Sequence, residues 1–598
     1  MKVLLLKKWL LRLNFKNIFY FRPELLSISS PILIKMKNVV ILISIIFVTM
    51  IYSCQKQEPA DLAILNGNVF TSDDENIRAE AIAIRGEKIV FVGTTKKAKR
   101  FIEKGKTTVI DAKGRLVLPG FNDAHAHFGP LDPDYIELRY TTDPSIFTEK
   151  VKEQIARSKP GQLICGGHWE HEMFIDKKWP AKELIDNVSP DNPVILTRAD
   201  GHSVLVNSYV LKASGITKNS IAPFGGEIQK DPVTGEPTGI IKENALDMIK
   251  TGEIAAVLSE SERADKIRQG YLLALKEARE LGVTSIQIPG RGDFATYEKF
   301  FTEGNLTSRI DIGETLTDNE EKLKQYIEIA KKYPKEGNWI RFGYLKSFID
   351  GTIGSGTALM FEPYSDNQNT SGLAMMPYEE FENMVVVADK LGFQVGVHSI
   401  GDKGNNWTLN AFQKAKEING TRDSRHRNEH SQILTLSDIP RFAQLGVIAS
   451  MQPTHCISDK KFVIKRIGET RMQGAYAWKS LAKAGAKIAF GTDYQVEPLN
   501  PMEGLYASVT RKDRLGETGE GWLPEEKITM AEAIKYYTIG AAYAQFMEDR
   551  KGMIKTDYLA DIIITDKDLF TINEDEIMKT KIDYTIVGGK IVYSSSAQ

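Results

Sequence analysis

Cysteine is scarce in this chain: Cys54, Cys165 and Cys456 are the only three in 598 residues. Three scattered thiols cannot build a disulfide framework or a cysteine-based zinc cluster. Any metal held here must be bound through nitrogen and oxygen. A charge excess is lacking too. Lysine and arginine number 77 against 78 aspartates and glutamates, which leaves no basic surplus for nucleic acid or an anionic membrane surface and favours a small-molecule substrate. The apolar stretch at residues 38–50 spans about 13 residues, short of the ~20 that cross a membrane. Histidine occurs only nine times. What remains is ordinary for a globular protein, 42% apolar and 26% charged, and the length allows several average domains or one large barrel with additions.

The short apolar stretch reads as an export signal. Lys35 and Lys37 precede it, and Ile51-Tyr52-Ser53-Cys54 follows, the layout of a signal peptide. Ser53-Cys54 resembles the lipobox of bacterial lipoproteins. Residues 36–53 are therefore expected to be a lipoprotein-type signal and Cys54 the lipidated residue, anchoring the protein to a bacterial membrane and facing the periplasm or exterior. An uncleaved N-terminal membrane anchor is the alternative. Residues 1–35 stand before a complete signal beginning at Met36 and are left out of the fold.

Strand-like patterns occupy both ends of the remaining chain. Leu62–Leu65, Ala81–Ile84 and Ile89–Val92 alternate with the turn pairs Asn66-Gly67 and Arg85-Gly86. Ala560–Thr565 and Tyr584–Tyr593, the latter broken by Gly588-Gly589, repeat the style. Residues 60–118 and 550–598 are expected to form one small β-sandwich domain from both ends. Between them, apolar runs alternate with amphipathic helical stretches such as 261–281 and 378–391, the pattern of parallel β-α units. Eight candidate strands end near His127, Ile288, Glu314, Lys346, His398, His430, Gln452 and Asp493. The expected fold class is thus α/β, a (β/α)8 TIM-like barrel over 119–549. Residues 128–280 are too long for one connection and read as an insertion with strands at 162–166 and 193–198.

Barrel enzymes place their chemistry at the C-terminal ends of the strands, and four histidines fall there. In Asp123-Ala124-His125-Ala126-His127 two rings two residues apart project to one side of a strand and can grip one cation. Alone the pair is as compatible with two surface histidines, but it follows the apolar run Leu116–Gly120. His398 and His430 end later strands. Asp493 ends Lys487-Ile488-Ala489-Phe490-Gly491-Thr492, an apolar run that would avoid a buried carboxylate unless a cation met it. Imidazoles beside a hard carboxylate suit a divalent metal such as zinc, in one or two ions.

The order His-x-His, Lys, His, His, Asp, with segments such as Leu118–His127, Asp200–Ser203, Lys346–Gly351, Val397–Asp402, Arg425–His430, Ser450–His455 and Ala489–Asp493, resembles the amidohydrolase superfamily. More narrowly, it is similar to the amidohydrolase 3 branch that includes N-substituted formamide deformylases. The resemblance runs over roughly residues 60–598. It implies metal ligands at His125, His127, Lys346, His398, His430 and Asp493, with Lys346 carboxylated on its amine so that a carbamate bridges two ions. An ordinary lysine paired with Asp350 is the alternative. Two departures bear on substrate contacts: Ser285-Ile286-Gln287 stands where a His-Asp pair is common, and His168 where an arginine is.

The expected chemistry is hydrolysis of a carbon–nitrogen bond other than a peptide bond by a metal-activated water. Asp493 would be the general base, and His430 or a second ion would stabilise the oxyanion. His202 is expected either to contact substrate or to order a turn in the insertion. His426 and His455 read as supporting groups and His171 as a rim residue. A deaminase or isomerase on the same barrel, or a lipid-anchored metal-binding protein without catalysis, are the rivals. The expected partners are a small-molecule substrate and the membrane, through Cys54, but no nucleic acid; a homodimer is one compatible assembly.

Overall fold

The computed structural model describes residues 58–254, 257–290, 292–514 and 519–597. The expected signal segment and Cys54 lie outside them. Among the described residues no helix is long and apolar enough to cross a membrane.

Eight parallel strands form the central sheet: β1 (Phe121–Asp123), β2 (Val283–Ile288), β3 (Arg309–Thr315), β4 (Ile340–Phe348), β5 (Val395–Ser399), β6 (Arg427–His430), β7 (Ile448–Met451) and β8 (Lys487–Phe490). They are hydrogen-bonded in sequence order. Helices including Glu260–Glu280 and Tyr378–Lys390 run between them and cover the outer face, while the inner face closes on itself, which explains why β2 and β5 are buried at every position. This is the expected barrel. Closure comes just beyond the regular ends of β1 and β8. The Ala124 amide donates to Phe490 O at 3.1 Å and the Asp493 amide to His125 O at 2.7 Å, while Ala126 bridges Tyr494 in parallel. Buried Asp123 bolts the seam, accepting from the amides of His125 (3.1 Å) and Thr492 (3.0 Å) and from the Thr492 hydroxyl. Gly491 is required here, since a Cβ would lie 2.5 Å from His125 N.

Between β1 and helix Glu260–Glu280 lies a six-stranded sheet. Its order is Gly226–Lys230, Pro237–Glu243, Ser203–Val206, Val194–Arg198, Ile164–Trp169, Ile136–Glu137. Strands from near the two ends of the described residues meet in another six-stranded sheet, where Ile562–Thr565 pairs antiparallel with Leu116–Pro119, Ile563 opposite Leu118. A four-stranded sheet of Leu62–Leu65, Ala81–Arg85, Lys88–Gly93 and Thr108–Asp111 packs on it. Ile64, Ile82, Ile84, Val117, Ile562, Ile564 and Ile586 share the core between the two. Leu116–Pro119 runs directly into β1, so this β-sandwich is attached at the N-terminal end of the barrel. There Arg309 grips Asp561 with two hydrogen bonds, Nε to Oδ2 at 2.7 Å and Nη2 to Oδ1 at 3.0 Å.

Candidate metal centre

The C-terminal ends of the strands bring His125, His127, Lys346, His398, His430 and Asp493 to one floor. Two sets of ligand atoms, His125/His127/Asp493 and His430/His455/Asp493, each lie within 4.8 Å of one another. His127 Nε2 is 3.2 Å and His125 Nε2 3.6 Å from Asp493 Oδ1. The regular part of β1 stops at Asp123, and both histidines sit on the bridged extension past it. His430 and Asp493 have positive φ, 76° and 60°, conformations that side chains with a Cβ rarely adopt and that cluster at functional sites.

Each ring is aimed by a partner. His125 Nδ1 lies 2.7 Å from Glu429 Oε2, and Glu429 is gripped in turn by Arg427, Nε to Oε1 at 2.7 Å. Burial opposes ionisation of Glu429, but the Arg427 guanidinium and His125 overcome it and hold its carboxyl down at about 2. His430 Nδ1 lies 2.7 Å from Gln452 Oε1. His398 Nε2 is 3.2 Å from the Gly351 carbonyl, so in this conformation that nitrogen faces the backbone, although the ring stands 4.4 Å from His430. Burial, with the nearby Lys346 charge, pushes His125 down to about 4. Burial also holds His398 and His430 well below the usual histidine range. These rings are neutral near pH 7, as metal ligation requires.

His125 Nε2, Lys346 Nζ and Asp493 Oδ1 are buried and have no aligned hydrogen-bond partner among the described residues. Buried polar atoms are ordinarily paired, and here three of them, from three strand ends, share one floor. The nitrogen and oxygen donor set fits a divalent ion of the zinc type. Lys346 does not pair with Asp350, whose oxygens accept from the amides of Leu359, Ile400 and Gly401. Burial pushes its amine down to about 8. Asp493 is held well below the usual carboxylate range: burial opposes this, but the rings of His127 and His455 beside its two oxygens prevail.

A cavity of about 740 Å³ opens above the floor; His202, His398, His430, His455 and Asp493 are among the residues that line it. His202 reaches it from the insertion, with Nδ1 2.7 Å from Glu243 Oε2. Burial works against charging this ring, yet the Glu243 carboxylate holds it up at about 9.

Of the histidines outside the floor, His171 stands differently from the sequence expectation. His455 supports the floor directly, its Nε2 3.1 Å from Asp493 Oδ2. His426 lies away from the floor, against Asp389 and the Val395 amide. His171 is buried rather than at the rim, because Trp179 stacks on it at 4.2 Å and Glu170 lies 3.3 Å from its Nδ1. Ser285 and Gln287 do not line the cavity. They point into the barrel interior, Gln287 accepting from Arg427 at 2.6 Å and Ser285 from Lys551 at 2.5 Å. His168 does line it, 2.8 Å from Glu137. Glu429, Gln452, Glu243 and Asp123 went unread in the sequence. Glu429 carried a signal: Arg427-Asn428-Glu429-His430 places an arginine and a glutamate on one side of a wholly buried strand. Glu243 carried none, since its partner is 41 residues away.

Comparison with known proteins agrees with this geometry. Residues 108–593 match the model of the amidohydrolase family. The protein LONG AFTER FAR-RED 3 of Arabidopsis thaliana is 34% identical over 551 residues, covering 89% of this chain and 92% of that protein. An N-substituted formamide deformylase of Arthrobacter pascens is 26% identical over 556 residues, covering 89% and 98%. Among solved structures, an uncharacterized metal-dependent hydrolase from Pyrococcus horikoshii superposes with a TM-score of 0.67 at 26% identity, covering 86% of this chain and 99% of that one.

Proposed function

We propose that this chain, which belongs to the amidohydrolase family and is a metal-dependent hydrolase, cleaves a carbon–nitrogen bond other than a peptide bond in a small amide or formamide. The observation that carries the reading is the convergence of the orphaned atoms His125 Nε2, Lys346 Nζ and Asp493 Oδ1 beneath a cavity large enough for such a substrate. The formamide deformylase relative supports the bond class.

His125, His127 and Asp493 would hold one ion, and His398 and His430 a second, with Lys346 between them. Zinc is the ion this donor set favours. A divalent ion supplies, when bound, a polarised substrate carbonyl and a water acidic enough to attack near neutral pH. The chain's own residues do the rest. Asp493, ionised because the rings of His127 and His455 stand beside it, accepts the proton of the attacking water. The same proton then passes to the leaving nitrogen as the carbon–nitrogen bond breaks. His455 keeps the carboxylate oriented, and Glu429 fixes the His125 ring. With its amine at about 8, Lys346 is neutral in part at neutral pH and can add carbon dioxide, losing a proton and becoming a carbamate. An anion on a long stem suits this floor better than an ammonium between cations.

Metal analysis of the purified protein combined with a panel of N-formyl amines, N-acyl amines, ureas, lactones and dipeptides tests the reading. Amine release from formyl or acyl amines is expected. Turnover confined to dipeptides or lactones, or bound metal with no turnover at all, would overturn it.

A further inference from the structure

Glu243 ends the insertion strand Pro237–Glu243, and its side chain is 2% exposed. The antiparallel register that pairs Ser203 with Lys242 brings His202 and Glu243 together. The Glu243 amide donates to His202 O at 2.9 Å, and Oε2 lies 2.7 Å from His202 Nδ1. The other carboxylate oxygen faces the barrel. Oε1 accepts from Thr357 Oγ1 at 2.6 Å and sits 2.3 Å from where a Cβ on Gly351 would be, so only glycine leaves room for it. The carbonyl of that same Gly351 lies 3.2 Å from His398 Nε2. Glu243 also occupies the left-handed region, with φ of 51°. A residue with a Cβ is held there only when its surroundings impose it, and such positions gather at active sites.

Taking a carboxylate out of water is costly unless both oxygens are used, and here both are. One oxygen sets a ring and the other a loop. The ring lines the cavity and stands 4.9 Å from His398. Among the described residues Nδ1 is its hydrogen-bonded nitrogen, and Nε2 is left for whatever enters.

We propose that Glu243 is a positioning residue for His202: it fixes the ring so that Nε2 meets the substrate's oxygen across the cavity from Asp493, and through Thr357 and Gly351 it ties that orientation to the loop beside His398. The proposal rests on the hydrolase reading above.

The test is a double-variant cycle on the metal-loaded enzyme with the best substrate of the formyl and acyl amine panel. Glu243→Ala is expected to lower kcat by roughly 10–100-fold, the range for a lost orienting partner, with KM and metal content near wild type. His202→Gln should cost at least as much, and the double variant no more than His202→Gln alone, because residues acting through one group are not additive. Glu243→Gln keeps an accepting oxygen and should recover part of kcat. It also replaces Glu243→Ala in the cycle if that variant does not fold. Multiplying effects, or loss of metal with Glu243→Ala, would overturn the proposal. A crystal structure of the Glu243 variant supplies a readout free of activity: a rotated His202 ring is expected, and an unmoved one refutes the role. If the wild-type enzyme hydrolyses nothing in the panel, the functional reading fails while the ring position still decides the positioning.

Discussion

Lys346 and Lys551 are sealed at opposite ends of one barrel, and burial pushes both amines down, to about 8 and about 7. Their surroundings differ. Lys551 donates to Ser285 Oγ at 2.5 Å, faces the carboxylates of Asp311 and Asp561, and sits where Arg309 and Asp561 lock the β-sandwich to the barrel. Lys346 faces Glu429 and Asp493 but hydrogen-bonds to nothing among the described residues. A buried amine with a partner is part of the framework. One without a hydrogen-bond partner, beside a histidine nitrogen and a carboxylate oxygen that also lack one, marks a place built for something else. The contrast follows the division of labour in this fold, with stability at the N-terminal end of the strands and chemistry at the C-terminal end.

The sharpest break in that comparison comes at the C-terminal end. His125→Ala or His127→Ala should abolish bound metal and activity together while leaving the fold intact, measured by metal analysis beside circular dichroism. Full activity with stoichiometric metal would remove the pair from the centre. Next in size is Asp493→Asn, which keeps the shape and removes the basic oxygen. A drop in kcat of about 100-fold or more, as for a lost general base, is expected with part of the metal retained, and a near wild-type rate would deny Asp493 that role. Lys346→Ala should lose one ion and most of the activity, and added formate or acetate should restore part of both by refilling the gap. A bare Lys346 amine in a well-resolved metal-loaded crystal structure would exclude the bridge.

The smallest effect belongs to the other lysine. The folded amine of Lys551, at about 7, lies below its ordinary 10.5. Between those values the unfolded chain binds more protons, so this residue makes stability rise as pH climbs from about 7 towards 10. Lys551→Met should remove that rise. The apparent Tm of wild type relative to the variant should increase over this range by roughly 3–4 °C, since about 1.4 kcal/mol per pH unit sums to about 4 kcal/mol and a chain this long moves by about 1 °C per kcal/mol, with hydrolysis at neutral pH unaltered. Identical pH profiles of Tm would show that Lys551 titrates as it does in the unfolded chain.

Much of the top of the barrel was visible as sequence because it is written in strand ends. His125, His127, His398 and Asp493 each close an apolar run, and a polar group in that place is conspicuous without any structure; His430 ends a polar one and stood out through the resemblance. The groups that aim them were not visible in this way. Gln452 holds His430 from the start of a different element, and Asp123 closes the seam with Thr492 across 369 residues. His171 looked like a rim residue because nothing local announces that Trp179 will cover it.

The sequence by itself determined the barrel, its eight strands and the sandwich made from segments near both ends, because periodicity is a local property of the chain; strand-end chemistry pointed to His125, His127 and Asp493, and the resemblance added Lys346, His398 and His430 as metal ligands. Only the tertiary structure decided which atoms meet. It turned His455 towards Asp493, left Lys346 without a partner and set Glu243 behind His202. Each of these depends on a contact between segments far apart in sequence, and burial then fixes which protonation states such contacts allow.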